Sequence, residues 1–210
     1  MTKEQFLEVM QFRHACKIFD ETKKISKEDL NFILEVGRLS PSSFGMEPWK
    51  FLVIQNQELK EQLRPFCWDQ PQITTCSHLV VILSKIDDLK PQNEYVGKMF
   101  ARRGLPQEYY ERYLSVYASH LAHTMSSDEN ILSWGARQCY IAMGNMMSAA
   151  ASIGIDSCPI EGFEKENVEK LLKIDTKVYQ LAVIVPFGYR INPQPNKFRL
   201  SIDEIVEFIN

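Results

Sequence analysis

His78-Leu79-Val80-Val81-Ile82-Leu83 is the stretch on which the fold turns. Polar turns bound it, it is too short for a buried helix, and apolar side chains fall on both alternating directions. That is the pattern of a strand covered on both faces. Two other runs share the character: Trp49-Lys50-Phe51-Leu52-Val53-Ile54, and Gln180-Leu181-Ala182-Val183-Ile184-Val185, which should end before Pro186 and Gly188.

Helical spacing surrounds these strands. Phe6, Leu7, Met10 and Phe12 suit a helix over residues 3–13. Ser26 and Asp29 resemble a capping box with Asp in place of Glu, opening a helix through Leu30, Ile33, Leu34, Val36 and Gly37. It should stop at Leu39, because Pro41 disfavours helix in the residue before it. A short helix from Glu58, long ones near 107–123 and 128–153, another over Glu164–Leu172 and a last over Ser201–Ile209 complete the reading. This is more helix than a doubly wound sheet needs, and 210 residues without repeat or linker fit one domain.

Composition narrows the function. With 45% apolar and 24% charged residues the chain is globular, and 24 basic against 27 acidic residues leave a net charge of −3. That balance lacks the basic footprint of nucleic-acid binders. The most apolar long segment, Ile131 to Ile155, carries Arg137, Gln138 and Asn145, so it reads as a core or interface helix and no membrane partner is expected. Five cysteines without a pairing pattern, after an N-terminus with no unbroken apolar stretch, point to reduced thiols in a cytoplasm.

Several chemistries are excluded. There is no G-x-G, so a Rossmann phosphate turn is absent, and no P-loop, G-x-S-x-G or C-x-x-C occurs. His120 and His123 share a helix face without a supporting Glu or Cys, so no metal is expected. The polar stretch Asp87–Pro106, with Lys98, Arg102 and Arg103 at helical spacing, reads as a solvated face.

Four segments remain. Arg13, His14 and Lys17 gather charge where the first helix should end. Lys197 and Arg199 point the same way in an extended tail. The loop Ser40-Pro41-Ser42-Ser43-Phe44-Gly45-Met46-Glu47-Pro48 is dense in small hydroxyls, and Asp156-Ser157-Cys158-Pro159-Ile160-Glu161-Gly162-Phe163 makes a tight turn after the long helix. Each alone could be a solvated charge cluster or a plain turn.

Together they resemble the FMN-dependent nitroreductase family in order and spacing along nearly the whole chain. The resemblance also includes Trp68-Asp69-Gln70-Pro71-Gln72 before His78, Gln138-Cys139-Tyr140, and Gly144-Asn145. It implies an α+β fold, a mostly antiparallel sheet surrounded by helices, in an intertwined homodimer with FMN at the subunit interface. Arg13, Lys197 and Arg199 would hold the FMN phosphate, with His14 and Ala15 near the phosphate and ribityl chain. Lys17 and Gln72 would meet the pyrimidine edge of the flavin. Asp69 stands where the family often has asparagine, and Ala15 where it commonly has serine. Pro159, Ile160, Glu161 and Gly162 would pack over one flavin face, while Pro41, Ser42 and Ser43 would come from the other subunit.

Phe44 and Trp68 would wall the substrate pocket. NADH or NADPH would reduce the cofactor and leave before a nitroaromatic or nitroheterocyclic acceptor enters, a ping-pong sequence. The cofactor carries that chemistry, so no catalytic side chain is named. A flavin, quinone or pteridine reductase on the same fold is an alternative, and a non-catalytic flavin binder is a second.

Overall fold

Strand β2 (His78–Lys85) lies inside a four-stranded sheet between β1 (Trp49–Ile54) and β4 (Tyr179–Gly188), with the two-residue β3 (Asp156–Ser157) beyond β4. All three pairings are antiparallel. The computed structural model describes residues 1–209.

The deciding run behaves as its alternation requires. Leu79, Val81 and Leu83 enter one core cluster with Leu63, Cys67, Ile73 and Val168; Val80 and Ile82 enter another with Ile33, Met143, Met146 and Ala150. In β4 this parity flips. Leu181 belongs to the first cluster, yet Val183, two residues on, belongs to the second. The cause is a bulge: Ile82 pairs with Val183 and Leu83 with Leu181, which leaves Ala182 as an extra residue.

The helices are α1 (Lys3–Phe12), α2 (Lys27–Arg38), α3 (Gln57–Leu63), α4 (Gln72–Thr75), α5 (Glu94–Ala101), α6 (Gln107–Thr124), α7 (Asp128–Ser152), α8 (Lys165–Leu171) and α9 (Ile202–Ile205). At the start of α2 the Ser26 hydroxyl accepts from the Asp29 amide (3.0 Å) and donates to the Asp29 carboxylate (2.8 Å), so the N-cap forms while the carboxylate meets the hydroxyl and not the Ser26 amide that a full capping box uses. Further along α2, Gly37 lets the helix lie against α7, since a Cβ there would sit 2.8 Å from Met146.

Four readings need correction. The stretch 87–106 is not only a solvated face: α5 buries Val96, Met99 and Phe100 in a third core with Tyr117 and Leu121 of α6. Strand β4 runs through Pro186 to Gly188, and the Pro186 carbonyl accepts from the Cys158 amide (3.2 Å). Residues 156–157, read as part of a turn, pair with Gly188 and Phe187. The last helix shrinks to Ile202–Ile205, because none of its residues is buried and a short helix without packing has little to hold it. Among the described residues, no helix is long and apolar enough to cross a membrane.

Candidate functional site

The two ends of the chain meet. Helix α1 stops at Arg13, whose backbone turns extended and carries the chain along β3, with Ala15 bridging Ser157 and the Cys16 amide donating to the Ser157 carbonyl (3.1 Å). The tail returns to that corner. Lys197 donates through Nζ to the carbonyls of Met10 and Arg13, and Gln194 donates to the Gln11 carbonyl (2.6 Å). These carbonyls belong to the end of α1 or lie just beyond it, where a cation is favoured.

Arg13, His14, Ala15, Lys197, Phe198 and Arg199, with Pro195 and Asn196, line one cavity of about 300 Å³. No acidic side chain lines it. The Lys197 ammonium is held below the usual lysine range, first by burial and then by Arg13 and Arg199. Three cations have thus been brought together from opposite ends of the chain without a counter-charge in the cavity. That is unfavourable unless an anion occupies it.

An ion pair between buried Asp156 and half-buried Arg190, which sequence reading missed, supports this corner. Asp156, 3% exposed, accepts from the Arg190 amide (2.8 Å) and Nε (3.1 Å), and Arg190 Nη2 lies 2.8 Å from its other oxygen. The guanidinium also donates to the Phe12 carbonyl (3.5 Å) and lies 4.1 Å from the Phe12 ring centroid. His14 Nδ1 stands 3.6 Å from the same carboxylate, and its pKa is lowered by burial first and by Arg190 second. Nothing local marks Asp156 in the sequence, since its partner lies 34 residues away.

A second group forms around Cys158. Lys17 Nζ and Gln72 Nε2 reach its sulfur at 3.7 and 3.8 Å, while Gln72 donates to Gln70 (2.8 Å), which donates to the Gly162 carbonyl (2.9 Å). Burial raises the Cys158 thiol pKa and Lys17 opposes the rise, so the group is a thiol at neutral pH. Trp68, in the left-handed region and 69% exposed, covers Gly162, where a Cβ would fall 2.5 Å from the indole. Asp69 is left-handed too and exposed, and its carbonyl accepts from Arg64 Nε (3.1 Å).

The Pro159–Gly162 turn is anchored from below. Ile160 exchanges both backbone hydrogen bonds with Ile184 (2.8 and 3.2 Å) and buries its side chain in the core, so it anchors the turn and has no free polar group for a ligand. Tyr140 of α7 donates to the Glu161 carboxylate.

The serine loop stands apart. The Ser43 amide donates to Gln138 of α7 (2.9 Å), Ser42 Oγ accepts from the Glu47 amide (2.8 Å), and Phe44 packs edge-on against Tyr117 with centroids 5.2 Å apart. Among the described residues, no hydrogen bond or ion pair joins residues 41–44 to 13–17 or 159–162. One chain therefore assembles the cationic corner and the Lys17–Gln72–Cys158 group, but does not bond the serine loop to either. On α6, His123 is exposed and His120 is half-buried against Phe44, and the described residues contain no group of three metal-ligating side chains.

An antiparallel sheet within helices, with cations from both termini at one corner, defines a class that known proteins share. The sequence profile of the Nitroreductase family matches residues 10–189, and the chain belongs to that family. A Bacillus subtilis relative under the provisional name NAD(P)H nitroreductase YfkO is 42% identical, over 99% of this chain and 98% of its own. A Haemophilus influenzae protein, also provisionally named NAD(P)H nitroreductase, is 42% identical over 100% and 98%. Among solved structures, a provisional nitroreductase of Exiguobacterium sibiricum in complex with FMN superposes with a TM-score of 0.81 at 26% identity, covering 97% of this chain and 96% of that one. A Staphylococcus epidermidis structure described provisionally as an NAD(P)H:FMN oxidoreductase gives 0.83 at 26%, over 97% and 95%.

Proposed function

We propose that this chain is a cytoplasmic, FMN-dependent NAD(P)H nitroreductase of one domain that works as an intertwined homodimer. The observation that carries the reading is the cavity where Arg13, Lys197 and Arg199 converge without an acid. A phosphate ester fits it: two guanidinium forks can each bind phosphate oxygens in pairs, and the ammonium adds a point charge. His14 and Ala15 continue the wall toward the ribityl chain.

Lys17 would present its ammonium to the pyrimidine edge of the flavin, and Gln72, buried and donating to Gln70 and Cys158, would turn from those partners to join it. An ammonium there favours negative charge on a flavin's pyrimidine edge, which eases its two-electron reduction. Asp69, exposed near Gln70, would as a carboxylate only accept hydrogen bonds from a flavin edge. The Pro159, Ile160, Glu161 and Gly162 backbone backs one face of the ring. FMN, when bound, would take hydride from NADH or NADPH and pass electrons to a nitroaromatic, nitroheterocyclic or related electron-poor acceptor in a ping-pong sequence. Phe44 and Trp68 offer flat walls for those rings.

Surface chemistry supports the dimer. Helix α1 buries no residue and exposes Phe6 and Leu7, and the tail exposes Phe198, Leu200, Ile202, Ile205, Phe208 and Ile209. An apolar surface of this kind calls for a second copy. The Pro41, Ser42 and Ser43 loop, unbonded to its own chain's cationic corner, would complete the partner's flavin site. Five buried, unpaired thiols agree with a reducing compartment.

The test is an absorbance spectrum of the purified protein, followed by anaerobic addition of NADH or NADPH and then a nitroaromatic. A yellow dimer that bleaches and regains colour on acceptor addition is expected. A colourless protein that takes up no FMN, or a flavin that neither nicotinamide bleaches, would overturn the reading.

A further inference from the structure

The Ser42–Glu47 loop is held in an unusual way. Its carbonyls from residue 44 to 47 are each captured by a side chain from the α5 segment: Phe44 by Arg103, Gly45 by Arg102 (3.0 Å), and Met46 and Glu47 by Tyr95 Oη (2.7 and 3.2 Å). Arg102 also pairs with the Glu47 carboxylate (2.5 Å). Arg103 in turn lies over Phe100 and Tyr113, 5.2 and 5.1 Å from their centroids, so α5 and α6 fix its plane.

This grip acts where the backbone needs it. Phe44 and Glu47 have φ of 55° and 43°, a region non-glycine residues keep only when their surroundings over-determine it. A side chain on Gly45 would meet Arg103 at 2.8 Å. The Phe44 ring itself rests on Tyr117, Phe100 and His120. The loop and the α5–α6 hairpin are therefore one mechanical unit, joined by Tyr95, by the packing of the Phe44 ring and by Arg102 and Arg103, which are exposed and outside the core.

We propose that Arg102 and Arg103 are positioning residues that set the shape of the electron-acceptor pocket, by fixing the Phe44 loop for the site of the partner subunit. The inference rests on the FMN reductase reading above and adds to it which residues decide acceptor fit.

The test compares holoenzyme with Arg102→Ala/Arg103→Ala and with Arg103→Lys, using a one-ring nitroheterocycle and a two-ring nitroaromatic. In the double variant FMN stays bound, and KM for the one-ring acceptor rises about tenfold, equivalent to ~1.4 kcal/mol, while kcat changes much less. Arg103→Lys falls between, because lysine can reach the Phe44 carbonyl but cannot lie flat over two rings. Backbone amide exchange over residues 44–47 should quicken in the double variant.

Co-expression supplies the cross-subunit arm. A heterodimer of the double variant with an Arg13→Ala/Arg199→Ala chain contains one site with intact clamp and intact loop, and should show the wild-type KM. A raised KM there would mean that the loop serves its own chain and would overturn the assignment. Unchanged KM for both acceptors in the double variant, or unchanged amide exchange, would overturn the positioning role. Failure of the wild type to bind FMN or bleach would instead defeat the reductase reading, before any variant is compared.

Discussion

Removing Arg13 and Arg199 separates two roles that the cationic corner could have. Lys197 uses two of its three N–H donors on the Met10 and Arg13 carbonyls and Arg199 one of its five on the Phe198 carbonyl, so most of the donors left for a phosphate belong to the two guanidiniums. A hydrogen bond to a charged group contributes about 1.5–3 kcal/mol, so Arg199→Ala should weaken FMN binding by about one to two orders of magnitude. Adding Arg13→Ala should weaken it further by less than the sum, since both contact one anion. The unliganded protein should behave oppositely. Arg13 and Arg199 both disfavour the charged form of Lys197, so their loss relieves repulsion and leaves unfolding in urea unchanged or slightly harder. Flavin fluorescence titration gives affinity, and urea titration of the deflavinated chain gives stability. Affinity within threefold of wild type in the double variant, or a large loss of stability without FMN, would make the corner structural and refute the reasoning.

Other consequences are testable separately. Lys17→Met should retain flavin but slow reduction by NAD(P)H in anaerobic stopped flow; an unchanged reductive rate would remove its electrostatic role. Asp156→Asn keeps an acceptor for Arg190 but removes its counter-charge, and should cost up to about 3 kcal/mol, the lower end of the scale for breaking a buried ion pair; urea unfolding within 0.5 kcal/mol of wild type, about the spread of an ordinary surface substitution, would contradict the network. The His14 and His78 pKa values are both lowered by burial first. The unfolded chain therefore takes up protons that the native one refuses, and stability should fall as pH drops through about 6.5, levelling below the folded pKa values. His78→Gln should flatten that slope, and a stability flat between pH 7.5 and 5 would show that neither ring is held neutral.

Much of this was readable from residue order. Strand β2 is legible because its apolar groups fall on both faces, α2 because its apolar period and its Ser26 cap agree, and α7 because of its long apolar helical pattern. What escaped notice depended on distant partners. The parity of β4 changes at a bulge that nothing in Gln180–Val185 signals, since all the residues around Ala182 are apolar. Helix α5 reads as a solvated face because its few buried groups, Val96, Met99 and Phe100, find their core in other segments, among them Met46, Tyr117 of α6 and Trp134 of α7. Asp156 reads as a turn residue, and Arg190 carries no signal of its own, until β3 and β4 bring them together. For the site, the residue types at 13, 197 and 199 were informative, but only folding shows that they share one cavity and that no acid enters it.

Comparison of FMN with riboflavin on the deflavinated wild-type protein isolates the phosphate, because the two ligands share the isoalloxazine and ribityl chain. With Arg13, Lys197 and Arg199 on the phosphate, FMN should bind at least about a hundredfold tighter than riboflavin at low salt, and the gap should narrow as salt screens it. Equal affinity for the two at every ionic strength would contradict the account.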